Sequence, residues 1–196
     1  MIDKKYERFD DQNTGLTFVK FDREHVENFT DWNAELDSWT ADAGVQRFIT
    51  GEAGTKLHNI FMDNILMDNY NHEDVFYVFE QDSLVGAIYL SSPDIYLRPA
   101  GFEYLVVSPN TRNRGVATRI ISSVKENMKY FFRKQHNGEI YASIHEDNIA
   151  SNRAFLKSGF VVRGRGYCNN YNRLYCSPRQ KEDDMPKGLY AGDWND

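Results

Sequence analysis

The sequence predicts a mixed α/β layer structure, a central sheet with helices packed against it. Three observations predict it. Runs that alternate apolar and polar residues, such as Leu16 to Phe21 and Ile140 to His145, have the period of half-buried strands. Val116, Ile120, Val124, Met128 and Phe131 recur at helical spacing and give one long amphipathic helix. The segments follow the order strand, helices, hairpin, strand, helix, strand, helix, strands.

Each element has a local justification. Residues 1–15 read as a polar lead-in, and residues 16–178 as the domain. Leu16 to Phe21 is the first strand. From Asp22 to Tyr70 the pattern is helical, with Leu57, Ile60, Phe61, Asn64 and Ile65 on one side. Asp74 to Glu80 and Leu84 to Leu90 are strands joined by a turn at Gln81, Asp82 and Ser83. Gly101 to Val107 is a further strand, and the long helix is expected from about Arg114 to Gln135. After the strand at Ile140, a short helix runs from about Ile149 to Ser158. Asn148 suits its N-cap and Gly159 its C-cap. Val161 to Ser177 makes two closing strands, and residues 179–196 form a polar, then aromatic, tail.

Composition narrows the function. The 196 residues carry a formal charge of -6, which disfavours a general nucleic-acid binder. No apolar run approaches the about 18 residues that suggest a membrane span. The N-terminus, MIDKKYERFDDQN, lacks the apolar stretch of a signal peptide, so a cytoplasmic location is expected. Cys168 and Cys176 are read as free thiols, the alternative being a disulfide in an oxidising compartment.

The informative stretch is Gly101 to Ala117, GFEYLVVSPNTRNRGVA. An apolar strand enters a short loop, and the loop opens a long helix. Helix N-termini present unpaired N–H groups and partial positive charge, which favours a phosphate. Gly115 and Ala117 allow close approach to the backbone, and Arg112 and Arg114 add full charges. The segment suits a pyrophosphate, yet it is neither a Walker loop nor a dinucleotide fingerprint.

Arg112-x-x-Gly115-x-Ala117, after a strand ending Val-Val-Ser-Pro, resembles motif A of the GNAT acetyltransferases. In that motif Gln/Arg-x-x-Gly-x-Gly/Ala holds the coenzyme A pyrophosphate. Asn148 to Phe160, NIASNRAFLKSGF, resembles the family's motif B. The close match covers residues 101–162, and the looser match in element order covers about 16–178.

The resemblance implies a GNAT fold with a splayed pair of parallel strands, here 101–107 and 139–144. It implies acetyl-CoA as co-substrate, with no metal. The pantetheine arm would lie in the splay along Leu105, Val106 and Val107. The pyrophosphate would meet Arg112, Asn113, Arg114, Gly115, Val116, Ala117 and Thr118. Asn148 and Phe155 would also face the cofactor, and a backbone N–H near Val107 would polarise the thioester carbonyl.

Acetylation of an amine needs a base, because an ammonium has no lone pair. Glu103 is the candidate, four positions before Val107 on the cofactor strand and, by alternation, on the same face. The alternative is a strand-edge glutamate paired with an arginine such as Arg98. Phe155 departs from the family pattern, since many members carry tyrosine there and use its hydroxyl as general acid. Ser151 or water would then supply the proton. The departure also leaves open a catalytically silent acyl-CoA-binding module. Neither motif contains a cysteine, so direct attack is expected over an acyl-enzyme. His145-Glu146-Asp147 and His72-Glu73-Asp74 lack zinc-site spacing. The partner expected is a small-molecule or peptide amine, with no nucleic acid and no membrane. Asp31, Glu35, Asp37 and Asp42 would draw in a cation. Tyr190 and Trp194 are expected to dock on the domain, at the acceptor site or on a second subunit, so a homodimer stays open.

Overall fold

The computed structural model describes residues 6–22, 24, 26–51, 55–61, 73–92, 100–132, 139–165 and 171–176. Eight strands form one sheet in the order β1-β2-β3-β4-β5-β6-β8-β7. They are β1 (Arg8–Asp11), β2 (Leu16–Lys20), β3 (Glu73–Glu80), β4 (Ser83–Ser91), β5 (Ala100–Val107), β6 (Ile140–His145), β7 (Val161–Arg165) and β8 (Tyr171–Cys176). Every neighbouring pair is antiparallel except β5–β6, which is parallel. The three principal helices are α1 (Thr30–Ser38), α2 (Val116–Glu126) and α3 (Ile149–Lys157).

Both faces of the sheet are covered, which is why its central strands read as almost continuously apolar. On one face Phe18, Phe76, Val78, Ile88 and Phe102 pack with Ile120, Val124 and Phe155 from α2 and α3. On the other, Val75, Tyr77, Phe79, Tyr89 and Val106 pack with Phe29, Leu36, Trp39, Leu57 and Phe61.

The segment read as a polar lead-in contains a strand. β1 adds to the sheet edge, with Phe9 opposite Phe18. Its acids made it look like a loop, but they are satisfied locally. Asp10 accepts from Thr17 Oγ1 at 2.7 Å, and Asp11 accepts from Thr14 Oγ1 at 2.9 Å and from the Ser123 hydroxyl. Phe9 meanwhile stacks on Tyr130, with ring centroids 4.8 Å apart.

The N-terminal helical region is divided. After α1 come short turns at Trp39–Ala41, Ala43–Val45 and Gln46–Thr50, and residues 57–61 are helical. Asp42 causes one break, because its backbone is extended and its side chain caps the next turn. The continuation expected to residue 70 lies outside the described residues. So do Cys168, His72, Arg98 and the tail.

The long helix starts at Val116 rather than Arg114, because Gly115 is left-handed (φ 75°) and serves as its N-cap. It is interrupted at Asn127, whose side chain donates back to the Ser123 carbonyl at 2.9 Å, and resumes over Met128–Phe131. The end expected at Gln135 lies outside the described residues.

Candidate active site

The parallel ladder between β5 and β6 is short. It pairs Ala100 with Ile140, Gly101 with Tyr141 and Phe102 with Ala142, and then stops. On its other side β5 stays paired with β4 as far as Val107. Leu105, Val106 and Val107 therefore border an opening between β5 and β6, as the two motifs implied. The bend has a local cause. The β4–β5 register shifts at Tyr89/Leu90, so that Tyr89 faces Tyr104 and Leu90 faces Phe102. Glu103 is the extra residue of this bulge, and a bulge bends its strand.

The bulge also changes the expected facing of side chains. Phe102, Leu105 and Val107 pack on the α2/α3 side, and Tyr104 and Val106 on the other. Strict alternation is broken at Glu103, which is exposed. Its Oε1 accepts hydrogen bonds from Tyr141 Oη at 2.5 Å and Ser91 Oγ at 2.7 Å. Sequence reading missed both donors. The signal available was weak: Tyr141 stands among the outward-facing residues of its strand.

Beyond Val107, a turn carries the chain into α2. Asn113 (φ 61°) and Gly115 (φ 75°) are both left-handed, a conformation asparagine tolerates and glycine favours. Arg112, Asn113, Arg114 and Gly115 are exposed, Val116 is buried, and Ala117 and Thr118 are half-buried. A Cβ built on Gly115 meets nothing within 4 Å, so the space before the helix N-terminus is open. The loop's arginines are not idle. Arg112 makes a two-pronged contact with Asp42, Nη1 to Oδ2 and Nη2 to Oδ1, each 2.8 Å. This contact holds the Asp42 carboxyl below its usual range. Arg114 reaches Glu80 at 2.9 Å and Arg119 reaches the same carboxylate at 2.7 Å.

The other bank of the opening is the end of β6 and the start of α3. Asn148 caps α3 by accepting from Ser151 N at 3.2 Å. Asn152 is buried and donates to the His145 and Asn148 carbonyls, each at 2.9 Å, which fixes the strand-to-helix turn. Arg47 meets Asp147 at 2.5 Å, and the Phe48 ring lies 5.9 Å from His145. The segment from Asp42 to Phe48 is thus tied to both banks.

Phe155, read as facing the cofactor, belongs to the core on the α2/α3 side of the sheet. It is 3 % exposed and packs edge-on against Phe102 and Phe160, with centroids 5.1 and 4.9 Å away. Phenylalanine has no hydroxyl to satisfy, so full burial costs it nothing. The four N-terminal acids, some of which were expected to line an entrance, divide in two. Asp42 pairs with Arg112, and Asp37 pairs with His58 Nδ1 at 2.7 Å. Asp31 and Glu35 are exposed on α1, and partial burial raises the Glu35 carboxyl above its usual value. Among the described residues no cluster of metal-ligating side chains is found, and no helix is long and apolar enough to cross a membrane.

A family model described as an acetyltransferase (GNAT) domain matches residues 16–161. This chain belongs to the GNAT acetyltransferase family. It is accordingly an acetyltransferase, with the mixed sheet and flanking helices of a GNAT fold. The fold is similar to that of spermidine N-acetyltransferase from Vibrio cholerae, solved with CoA and spermine. There the TM-score is 0.59 and the identity 19%, covering 84% of this chain and 96% of that one. It is similar also to an acetyl transferase from Salmonella typhimurium that modifies the N-terminal serine of ribosomal protein L7/L12. That comparison has a TM-score of 0.60 and 15% identity, covering 85% and 96% of the two chains. A ribosomal L7/L12 alpha-N-protein acetyltransferase in complex with coenzyme A is related at TM-score 0.61 and 15% identity, over 87% and 98%. A search among curated proteins returned no match to this GNAT sequence.

Proposed function

We propose that this GNAT enzyme transfers the acetyl group of acetyl-CoA to a primary amine by direct attack of the amine on the thioester. The observation that carries the reading is the pairing of an open β5 edge with an exposed carboxylate at its head. β5 has no β6 partner after Phe102, and Glu103 follows immediately. An extended pantetheine arm fits along Leu105 to Val107 as an added strand, taking its hydrogen bonds from the backbone. The pyrophosphate fits the turn from Arg112 to Thr118, at the α2 N-terminus beside left-handed Gly115, where Arg112 and Arg114 would exchange their carboxylate partners Asp42 and Glu80 for phosphate oxygens. Asn148 uses its Oδ1 as a cap, which leaves its amide N–H groups for the arm. Spermidine acetyltransferase, solved with CoA, supports the choice of carrier.

In this reading Glu103 is the general base, directly or through one water. An N–H bond of the ammonium breaks, an O–H bond forms on Glu103, and the freed lone pair attacks the carbonyl carbon. A backbone N–H near Val107 stabilises the developing oxyanion. As the thiolate leaves, the nitrogen, cationic after attack, gives up its second proton, which reaches the sulfur through water or the Ser151 hydroxyl, in the first turn of α3. Thiol pKa values lie near about 8.5, so this leaving group needs only modest help.

Phe155 favours a second reading. With no hydroxyl at that position, a module that binds acyl-CoA without turning it over keeps the same fold. Thiol release from acetyl-CoA, followed with a panel of polyamines, small monoamines and peptide N-termini, separates the two. Release above background with one class supports the transferase. Measurable coenzyme A binding with no release from any class supports the silent module.

A further inference from the structure

Glu103 has no register partner on either side. β4 skips it at the bulge, and the β6 ladder ends one residue before it. An exposed carboxylate on such a bend has nothing in the sheet to fix its rotamer. Two hydroxyls do so instead, and both donate to the same oxygen. Tyr141 Oη lies 2.5 Å and Ser91 Oγ 2.7 Å from Oε1. Among the described residues, no hydrogen bond goes to Oε2.

Tyr141 reaches Glu103 by an unusual route. It stands opposite Gly101 in the parallel ladder, and its ring lies across that glycine. A Cβ at position 101 would sit 2.2 Å from Cε1 and 2.3 Å from Cδ1 of the ring. Real Cβ atoms do not approach that closely, so the missing side chain at Gly101 is what lets the ring cross β5. The hydroxyl then arrives two positions further along the strand. Tyr141 and Ser91, from the two strands that flank β5, thus converge on one carboxylate oxygen.

We infer that Tyr141 is a positioning residue which, with Ser91, clamps Oε1 of Glu103 and reserves Oε2 for the proton of the acceptor amine. The inference rests on the reading of Glu103 as general base. A base must sit within hydrogen-bond reach of the proton it takes, and a small misplacement is costly. The clamp supplies that placement with two side chains, Tyr141 and Ser91, that belong neither to the Leu105–Val107 edge nor to the Arg112–Thr118 turn given to coenzyme A.

The test is a double-mutant cycle on turnover with the best acceptor amine. Tyr141→Phe keeps the ring over Gly101 and removes only the hydroxyl, so the melting temperature reports whether the fold is intact. It should lower kcat about tenfold, the order expected for a lost hydrogen bond to a charged group. KM for acetyl-CoA should stay within about twofold of wild type. Added to Glu103→Ala, the same change should cost almost nothing, because the group it positions is gone. Ser91→Ala in the Tyr141→Phe background should lower kcat further. An equal loss from Tyr141→Phe in both backgrounds would mean the hydroxyl acts by itself and would overturn the clamp. A slow Glu103→Ala beside an unaffected Tyr141→Phe would overturn the clamp and leave the base reading standing. Wild-type turnover in Glu103→Ala would overturn both.

Discussion

The guanidinium of Arg112 is held face to face with the carboxylate of Asp42 by two hydrogen bonds of 2.8 Å. One member belongs to the loop that opens α2, and the other caps the turn at Ala43–Val45. The loop's arginine thus already holds an anion, and an incoming phosphate has to compete for it. The same side chain does two jobs, since Asp42 Oδ1 also accepts from Gly44 N at 2.9 Å and Val45 N at 3.0 Å.

Asp42→Asn should separate those jobs. Asparagine keeps the cap but removes the competing charge. We expect coenzyme A to bind several-fold more tightly by calorimetry, with the melting temperature little changed. Asp42→Ala loses the cap as well and should cost about 1 kcal/mol of stability. Unchanged coenzyme A affinity in Asp42→Asn would show that the pair does not oppose binding.

Gly115 offers a test of the phosphate loop. Its φ of 75° strains any β-branched residue, while the space around a built Cβ is open. Gly115→Val should therefore lose about 1–2 kcal/mol of stability from the backbone and lose coenzyme A affinity by obstruction. Gly115→Asn is the control for the first effect, because asparagine tolerates the left-handed region. Affinity close to wild type in a folded Gly115→Val protein would place the pyrophosphate elsewhere.

Glu103→Gln keeps the shape of the base and removes its basicity. Turnover at neutral pH should fall by about 10²–10⁴, the usual worth of a positioned acid or base. Coenzyme A affinity should hardly change, and the residual rate should climb with pH as free amine replaces ammonium. Stopped-flow thiol release against pH measures both effects. Turnover near wild type at neutral pH would move the base to another group.

Acid stability should depend on Asp11. Burial pushes its carboxyl up, but hydrogen bonds from the Ser123 and Thr14 hydroxyls and from backbone N–H groups of Asn13 and Thr14 outweigh this, and the net shift is downward. A carboxyl depressed in the folded state contributes stability that is complete above its unfolded value and lost as pH falls through the folded one. The ordinary value is 3.8, so the loss should appear below about pH 4. Asp11→Asn should cost about 1–3 kcal/mol at neutral pH through its disrupted hydrogen bonds. It should also flatten the acid limb of the stability curve. Denaturant titrations of both proteins between pH 2.5 and pH 7 measure the difference.

From residue 16 onward, the order of strands and helices and the family of the chain were legible in the residues alone. These are local properties. The alternation in Ile140 to His145 and the helical spacing from Val116 to Val124 are visible within a few turns of chain. The same holds for the loop from Arg112 to Ala117 and for the cap at Asn148, since both follow from a helix starting at a particular residue. It took the folded chain to bring Arg112 to Asp42, to turn Phe155 into the core, and to add residues 8–11 to the sheet. The tertiary structure also decided the bulge at Glu103 and the path of Tyr141 across Gly101. Each of these depends on strand register or on contact between segments far apart in the chain. One residue of slip in β5 would exchange its two faces, and nothing within GFEYLVV fixes where the extra residue falls. The partner strands β4 and β6 fix it, in a pairing that buries Phe102 on one face and Val106 on the other.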